Sequence, residues 1–307
     1  MRIVYMGTPD FAVPSLRALD ANHKVTLVVT RPDAVRGRGK RLEPSPVKAA
    51  ALELGLPVLE ARRLAADDID RIAQERPDVI CVAAYGAILP DELLAIPPCG
   101  VLNVHASLLP RGRGAAPIQR AVLEGDEAAG VSIMRIVHDL DAGPYCAQAR
   151  VAIADKPCAQ VMDELARVGA DELVCALEQV ERGGVVWTEQ DESQVTYAAK
   201  VTKQEMLLDP ADAALANKRR VQASLDAAPA RAIVGGRGVR VLEASVVDAG
   251  AKQVAQGSVL VQKGHVYLGC ADGTIEVLRV KPDGKKEMAA SAWASGLRGD
   301  DLTWKRA

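Results

Sequence analysis

Apolar residues dominate short runs in the first half of the chain, at 2–6, 24–30, 78–84 and 130–137, with amphipathic stretches of helical period between them. A strand that is apolar on both faces needs cover on both, so these runs predict a parallel sheet with helices on either side. The first run closes at Gly7-Thr8-Pro9 and a helical pattern follows from Phe11 through Leu19. Ser45 and Pro46 form an N-cap followed by proline at the first helical position, and Gly55 supplies the stop, predicting a helix over 46–54. A short strand at 57–60 and a helix over about 67–75 continue the alternation. Pro117 opens a helix that Gly125 ends, 145–153 reads as extended, and 159–181 is helical up to Gly183-Gly184.

After that point the pattern changes. Residues 190–207 lack a strong period and read as a linker, and a helical patch covers 211–225. Beyond it come short strands between turn signals, at 232–234, 239–244, 257–261, 265–270 and 274–280, the spacing of a small β-barrel or sandwich. The expected domains are 1–189, a linker at 190–207, and 208–307.

Composition narrows the class. Of 307 residues 49% are hydrophobic and 25% charged, the balance of an ordinary globular chain, while 3% aromatics leave the core to Val, Leu, Ile and Ala. No long uncharged apolar run is present, and the opening Met-Arg-Ile-Val-Tyr-Met-Gly is broken too early for a signal peptide, so a cytoplasmic, non-membrane protein is expected. The 6 cysteines show no Cys-x-x-Cys spacing and read as small hydrophobes rather than a metal site or disulfide framework. The net charge of −2 divides into −6 over residues 1–200 and +4 over 201–307, a basic tail compatible with a polyanion.

The chemistry concentrates in Gly100-Val-Leu-Asn-Val-His-Ala-Ser-Leu-Leu-Pro-Arg-Gly-Arg-Gly114. In an extended strand Asn103 and His105 share one face, about 7 Å apart along the chain. Pro110 cannot continue a ladder, so the strand should stop near Ser107, with His105 at the carboxyl end where open α/β sheets bind ligands. Asp141 lies one helix and one strand further on, so a βαβ unit is expected to bring its loop to the same sheet edge. A carboxylate beside an imidazole fixes its tautomer and raises its pKa, and an amide donates to a developing oxyanion, a set suited to acyl-group chemistry. The same residues are also compatible with satisfied polar groups at a strand end and an aspartate in a turn. Ser107 lacks the Gly-x-Ser-x-Gly context of a nucleophile. Tyr85 to Pro90 follows another strand and forms a natural pocket wall. Residues 31–41 have two glycines and five cations against one acid, an exposed loop able to meet phosphates or merely solvent. The Gly-x-Gly-x-x-Gly fingerprint is absent, which disfavours a dinucleotide enzyme.

These residues carry a resemblance. Asn103-Val-His-Ala-Ser-Leu-Leu-Pro110, Arg113-Gly-Ala-Ala-Pro-Ile-Gln-Arg-Ala121 and Asp139-Leu-Asp-Ala-Gly143 resemble the signature of the folate-dependent methionyl-tRNA formyltransferase family. Met6-Gly-Thr-Pro-Asp-Phe-Ala12, Pro44-Ser-Pro-Val-Lys48 and Tyr85-Gly-Ala-Ile-Leu-Pro90 extend it over the first domain. The resemblance implies a Rossmann-like parallel-sheet formyltransferase domain followed by a small OB-like β-barrel domain. It implies 10-formyltetrahydrofolate as donor, initiator methionyl-tRNA as acceptor, no metal, and a monomer. By position it implies Asn103, His105 and Asp141 as catalytic residues. The folate would meet Ser107, Leu108, Leu109, Pro110, Tyr85, Gly86, Ile88, Leu89 and Asp139, and the tRNA Arg36, Arg38, Lys40 and Arg41. A sister enzyme formylating a small amine, a ribonucleotide or amino-sugar, is the nearest alternative, and a non-catalytic nucleic-acid-binding protein with an OB-like module is a more distant one. The chain departs from the family pattern at Gly112, where a bulky aromatic is usual, and its linker and barrel resemble the family less than the first domain does.

Overall fold

The structure, a computed structural model, describes residues 1–35, 42–248, 250, 252–297 and 302–307. By its contacts the chain forms two compact units. The first comprises Met1–Pro117, Ala128–Ala152 and Met162–Ala198; the second comprises Ile118–Glu127, Ile153–Val161 and Ala199–Ala307.

In chain order the elements up to residue 181 are β1 (Arg2–Gly7), α1 (Val13–Asn22), β2 (Lys24–Thr30), β3 (Ala34–Val35), β4 (Leu42–Glu43), α2 (Pro46–Glu53), β5 (Val58–Glu60), α3 (Ala66–Gln74), β6 (Val79–Ala83), α4 (Asp91–Leu94), β7 (Val101–His105), α5 (Pro117–Glu124), β8 (Ala128–Arg135), β9 (Tyr145–Ala152) and α6 (Cys158–Glu181). The sheet order is β5-β2-β1-β6-β7-β8-β9. Alternate residues divide the apolar strands between two helical layers. Val4, Met6, Leu27, Val29, Ile80 and Val82 pack with Ile72 of α3 on one side. On the other, the buried hydroxyl of Tyr5 donates to the Ala12 carbonyl just before α1. Each fully buried side chain of this size contributes about 1.5–3 kcal/mol, which is why apolar residues dominate the runs. The predicted cap is present, with Ser45 Oγ accepting the Lys48 N–H at 3.0 Å before Pro46.

The strands from β5 through β7 are parallel, but β7 pairs with β8 antiparallel, and β8 with β9 antiparallel. The unit β7-α5-β8 is therefore not a parallel βαβ crossover, and the expectation that one carries Asp141 to the His105 edge is corrected. The carboxyl end of β8 lies beside the start of β7, Arg135 facing Leu102. The loop after it must double back. Apolar runs report burial on both faces and carry no information on strand direction.

The remaining elements are α7 (Ala214–Gln222), β10 (Arg231–Val234), β11 (Arg237–Val246), β12 (Val259–Gln262), β13 (His265–Gly269), β14 (Thr274–Pro282), β15 (Met288–Ala289), α8 (Ala290–Ala294) and β16 (Trp304–Arg306). They form an antiparallel sheet in the order β12-β13-β14-β11-β10-β16, with β15 on β14. It curls until a bridge between Ser258 and Thr303 joins its two edges. A period of two runs through Ala232 and Val234, Val239 and Val241, and Val266 and Leu268, whose inward faces form the core with buried Trp304. The five strands expected from the pattern are present; β15, α8 and β16 are additional.

Candidate active site

β7 presents the central residues. Val104 points at α6, where a side-chain carbon built on Gly169 would meet Val104 Cγ1 at 2.8 Å. Asn103 and His105 therefore occupy the opposite face, as the alternation requires. Asn103 is half-buried, and among the described residues its carboxamide makes no hydrogen bond. His105 is 6% exposed and both ring nitrogens have oxygen neighbours: Nε2 lies 3.0 Å from the Gly112 carbonyl and Nδ1 lies 3.6 Å from Asp141 Oδ1. Both neighbours are oxygens, so whichever ring N–H is present meets an acceptor.

Asp141 reaches this position through its loop. Its φ is +50°, a left-handed conformation that aspartate tolerates better than most residues. Its Oδ2 accepts the Gly114 N–H at 2.8 Å, and its carbonyl accepts Gln190 Nε2 at 2.7 Å. Gln190 also donates to the Gly143 carbonyl at 2.7 Å, and its Oε1 accepts Arg113 Nε at 2.9 Å. Arg113 is 4% exposed, its charge answered by Glu192 at 2.7 Å. Residues 190–198, aperiodic in sequence, are thus hydrogen-bonded into the first unit, with Thr196 Oγ1 accepting the Gly112 N–H at 2.9 Å.

Gly112 sits at the centre of this arrangement. Its φ is +75°, and a Cβ there would stand 3.0 Å from Ser107 Cβ, so both backbone conformation and space favour glycine. Its N–H and C=O are both used, the latter by His105.

The segment after β7 is pinned from β8. Ser132, wholly buried opposite His105, donates to the Ser107 carbonyl at 2.6 Å and accepts the Leu109 N–H at 3.1 Å. Gln148 Nε2 donates to the Leu109 carbonyl and to Ser132 Oγ, each at 2.9 Å. Ser107 Oγ donates to the Arg111 carbonyl at 2.6 Å. Leu109 is buried, while Leu108 and Pro110 are half-buried.

The other expected wall residues are placed differently from one another. Tyr85 is core: its hydroxyl donates to the Ala61 carbonyl at 2.8 Å, and burial raises its pKa, partly offset by Arg31. The Gly86 carbonyl accepts Arg31 Nη2 at 2.5 Å. Leu89 packs against the core while Ile88 is 93% exposed. Asp139 is exposed in the turn, next to exposed Leu140; the exposed pair His138 and Asp91, 3.1 Å apart, ties this loop to the end of the Tyr85–Pro90 wall. Ile88 and Leu140 are uncovered apolar side chains.

Arg36, Arg38, Lys40 and Arg41 lie outside the described residues. The chain on either side of them pairs as β3 and β4, Val35 with Leu42. Lys48 anchors the root: its Nζ donates to Asp33 at 2.7 Å and Glu60 at 2.9 Å, and these two hydrogen bonds raise its pKa. Among the described residues no group of three or more His, Cys, Asp or Glu could hold a metal, and no helix is long and apolar enough to cross a membrane. Cys81, Cys158 and Cys270 are buried as small hydrophobes, but Cys175 is exposed.

Sequence reasoning did not single out Ser132 or Gln190, and Arg113 entered it as the first residue of a motif. Ser132 had a usable signal, a lone hydroxyl within an otherwise apolar run; Gln190, from a segment without period, had none.

The model of the formyl transferase family matches residues 1–177, and that of the formyl transferase C-terminal domain matches 200–298. A methionyl-tRNA formyltransferase of Halorhodospira halophila is 44% identical over 97% of this chain and 96% of its own length. One from Methylococcus capsulatus is 43% identical over 94% and 95%. Among solved structures, HypX of Aquifex aeolicus in complex with tetrahydrofolic acid aligns with 95% of this chain at a TM-score of 0.65 and 19% identity, and this chain spans 46% of it. The sugar 3N-formyl transferase WlaRD, solved in the presence of dTDP and 5-N-formyl-THF, aligns over 93% of this chain and 99% of its own at a TM-score of 0.66 and 13% identity. At these identities the two structures speak for the fold.

Proposed function

The chain belongs to the methionyl-tRNA formyltransferase family, and from that premise we propose that it transfers the formyl group of 10-formyltetrahydrofolate to the α-amino group of methionine on initiator methionyl-tRNA. The observation that carries the proposal is the free carboxamide of Asn103 on the same strand face as His105, whose ring stands between the Gly112 carbonyl and Asp141.

The donor supplies a formyl carbon activated by its attachment to the folate nitrogen. The residues from Ser107 to Pro110, with Gly86, Ile88, Leu89 and Asp139, would hold it, Tyr85 supporting the wall from the core. The methionyl amine attacks the formyl carbon directly, without a covalent enzyme intermediate; the new N–C bond forms as the bond to the folate nitrogen breaks. Asn103 and His105 donate to the developing oxyanion, the imidazole releasing its contact with the Gly112 carbonyl to do so. Asp141 holds the imidazole and assists transfer of the proton lost by the amine toward the departing folate nitrogen. Holding both substrates in attack geometry supplies much of the remaining acceleration. The cations at 36–41 would meet the phosphates of the tRNA. A cytoplasmic location is part of this reading, as expected of an enzyme acting on charged tRNA.

Incubating the chain with labelled 10-formyltetrahydrofolate and either methionyl initiator tRNA or free small amines tests the proposal. Label should pass to the charged tRNA; transfer only to a small amine, or to neither, would overturn it.

A further inference from the structure

The second unit contains a cleft of about 440 Å³ between α5 and α7, lined by Arg120, Leu123, Glu205, Leu215, Arg219 and Arg220 among others. Two of its three arginines are answered. Arg120 donates to Glu205 at 2.8 Å and to the carbonyls of Ala199 and Lys200 at 2.9 and 3.3 Å. The Arg120 hydrogen bond is the largest cause holding the Glu205 carboxyl down at about 2. Arg220 pairs with Asp212 at 2.6 Å and donates to the Glu205 carbonyl at 3.0 Å.

Arg219 is different. Its side chain has no hydrogen bond or ion pair among the described residues, although it is only half-exposed. Its guanidinium is seated on Gly125, where a Cβ would fall 1.9 Å from Nη2, so that close approach exists only because residue 125 has no side chain. Five N–H donors are left on a planar cation beside an apolar floor of Leu123, Ala213 and Ala216. Fixed neighbours on both sides reduce what ordering a ligand there would cost.

We propose that this cleft is a phosphate subsite for the tRNA substrate, Arg219 gripping one backbone phosphate while the attached nucleoside rests on the apolar floor. The inference rests on the reading of the chain as an enzyme acting on tRNA. A guanidinium fork matches phosphate oxygens in pairs, and an uncovered apolar surface of this size matches a base or ribose better than a free anion would need.

The test is direct binding of fluorescently labelled initiator tRNA to the full chain at several KCl concentrations. Arg219→Ala should weaken binding about three- to tenfold, and its plot of log affinity against log salt should be flatter by about 0.7–0.9, the release associated with one phosphate. Leu215→Glu, at a position 48% exposed, leaves Arg219 in place and should weaken binding by repulsion. Wild-type affinity and salt slope for Arg219→Ala would overturn the subsite. If Arg219→Ala is found misfolded by circular dichroism, Leu215→Glu decides, and unchanged binding by that variant also overturns the subsite. Wild-type formylation measured in parallel reports on the enzymatic reading separately, since binding needs no turnover.

Discussion

Replacing Ser132 by alanine removes the hydroxyl that holds the segment after β7. Two backbone groups lose their partner: the Ser107 carbonyl, accepting at 2.6 Å, and the Leu109 N–H, donating at 3.1 Å. Ser132 is 0% exposed, so bulk water does not replace it. An orphaned buried backbone group costs about 1–3 kcal/mol, so the two should total about 2–6 kcal/mol, while the Leu109 carbonyl keeps its 2.9 Å bond from Gln148. Urea unfolding of wild type, Ser132→Ala and Gln148→Leu measures it, with Gln148→Leu expected to cost less because it leaves the Ser132 bonds to Ser107 and Leu109 intact. Hydrogen exchange of the peptide containing Leu109 should accelerate in Ser132→Ala, and the apparent KM for the folate should rise while that for tRNA changes little. Stability within about 0.5 kcal/mol of wild type, with unchanged exchange at Leu109, would refute the reasoning, since surface-like changes stay in that range.

Other perturbations probe the site and its surroundings. His105→Ala should lower kcat for formylation about 10²–10⁴-fold, and Asn103→Ala about 10²–10³-fold, with urea midpoints retained; near wild-type turnover by either would remove it from the proposed role. Gly112→Ala places a side chain at φ +75° and should cost about 1–2 kcal/mol in urea unfolding, beyond the 3.0 Å approach to Ser107, while also shifting the carbonyl that meets His105 and lowering kcat. Glu205, depressed to about 2 chiefly by the Arg120 hydrogen bond, contributes stability that is complete above its ordinary value of 4.5 and is lost as pH falls through about 2. Arg120→Met should therefore move the acid-unfolding midpoint of the second unit upward, and an unmoved midpoint would show that the pair does not matter there.

Much of the first unit was legible because burial on two faces leaves a plain mark: β1, β2, β6 and β8 are apolar runs, and the Ser45 cap and Gly55 stop bound α2. The pair Asn103 and His105 was equally legible, because a period of 2 puts both on one face. What brings Asp141 to them was not. That depends on the direction of β8, which apolar composition does not encode, and on Gln190, 49 residues from Asp141 in sequence and tied to it through a backbone carbonyl rather than by any pattern of side chains. Gly112 read as a departure without a consequence until its φ of +75° and its carbonyl beside His105 were seen. In the second unit β16 escaped notice because it is 3 residues long and pairs with β10 from the far end of the chain.

The bridge between Ser258 and Thr303 reaches beyond the geometry of that sheet. Open sheet edges present rows of unpaired N–H and C=O groups that can template strand addition by another chain. Here the Val259 N–H is taken by the Leu302 carbonyl at 2.8 Å and the Trp304 N–H by the Gly257 carbonyl at 2.8 Å. With those groups spent internally, the unit gives a foreign strand little purchase at this seam, which guards it against cross-β aggregation at high concentration. The seam therefore offers no free backbone ladder to a partner.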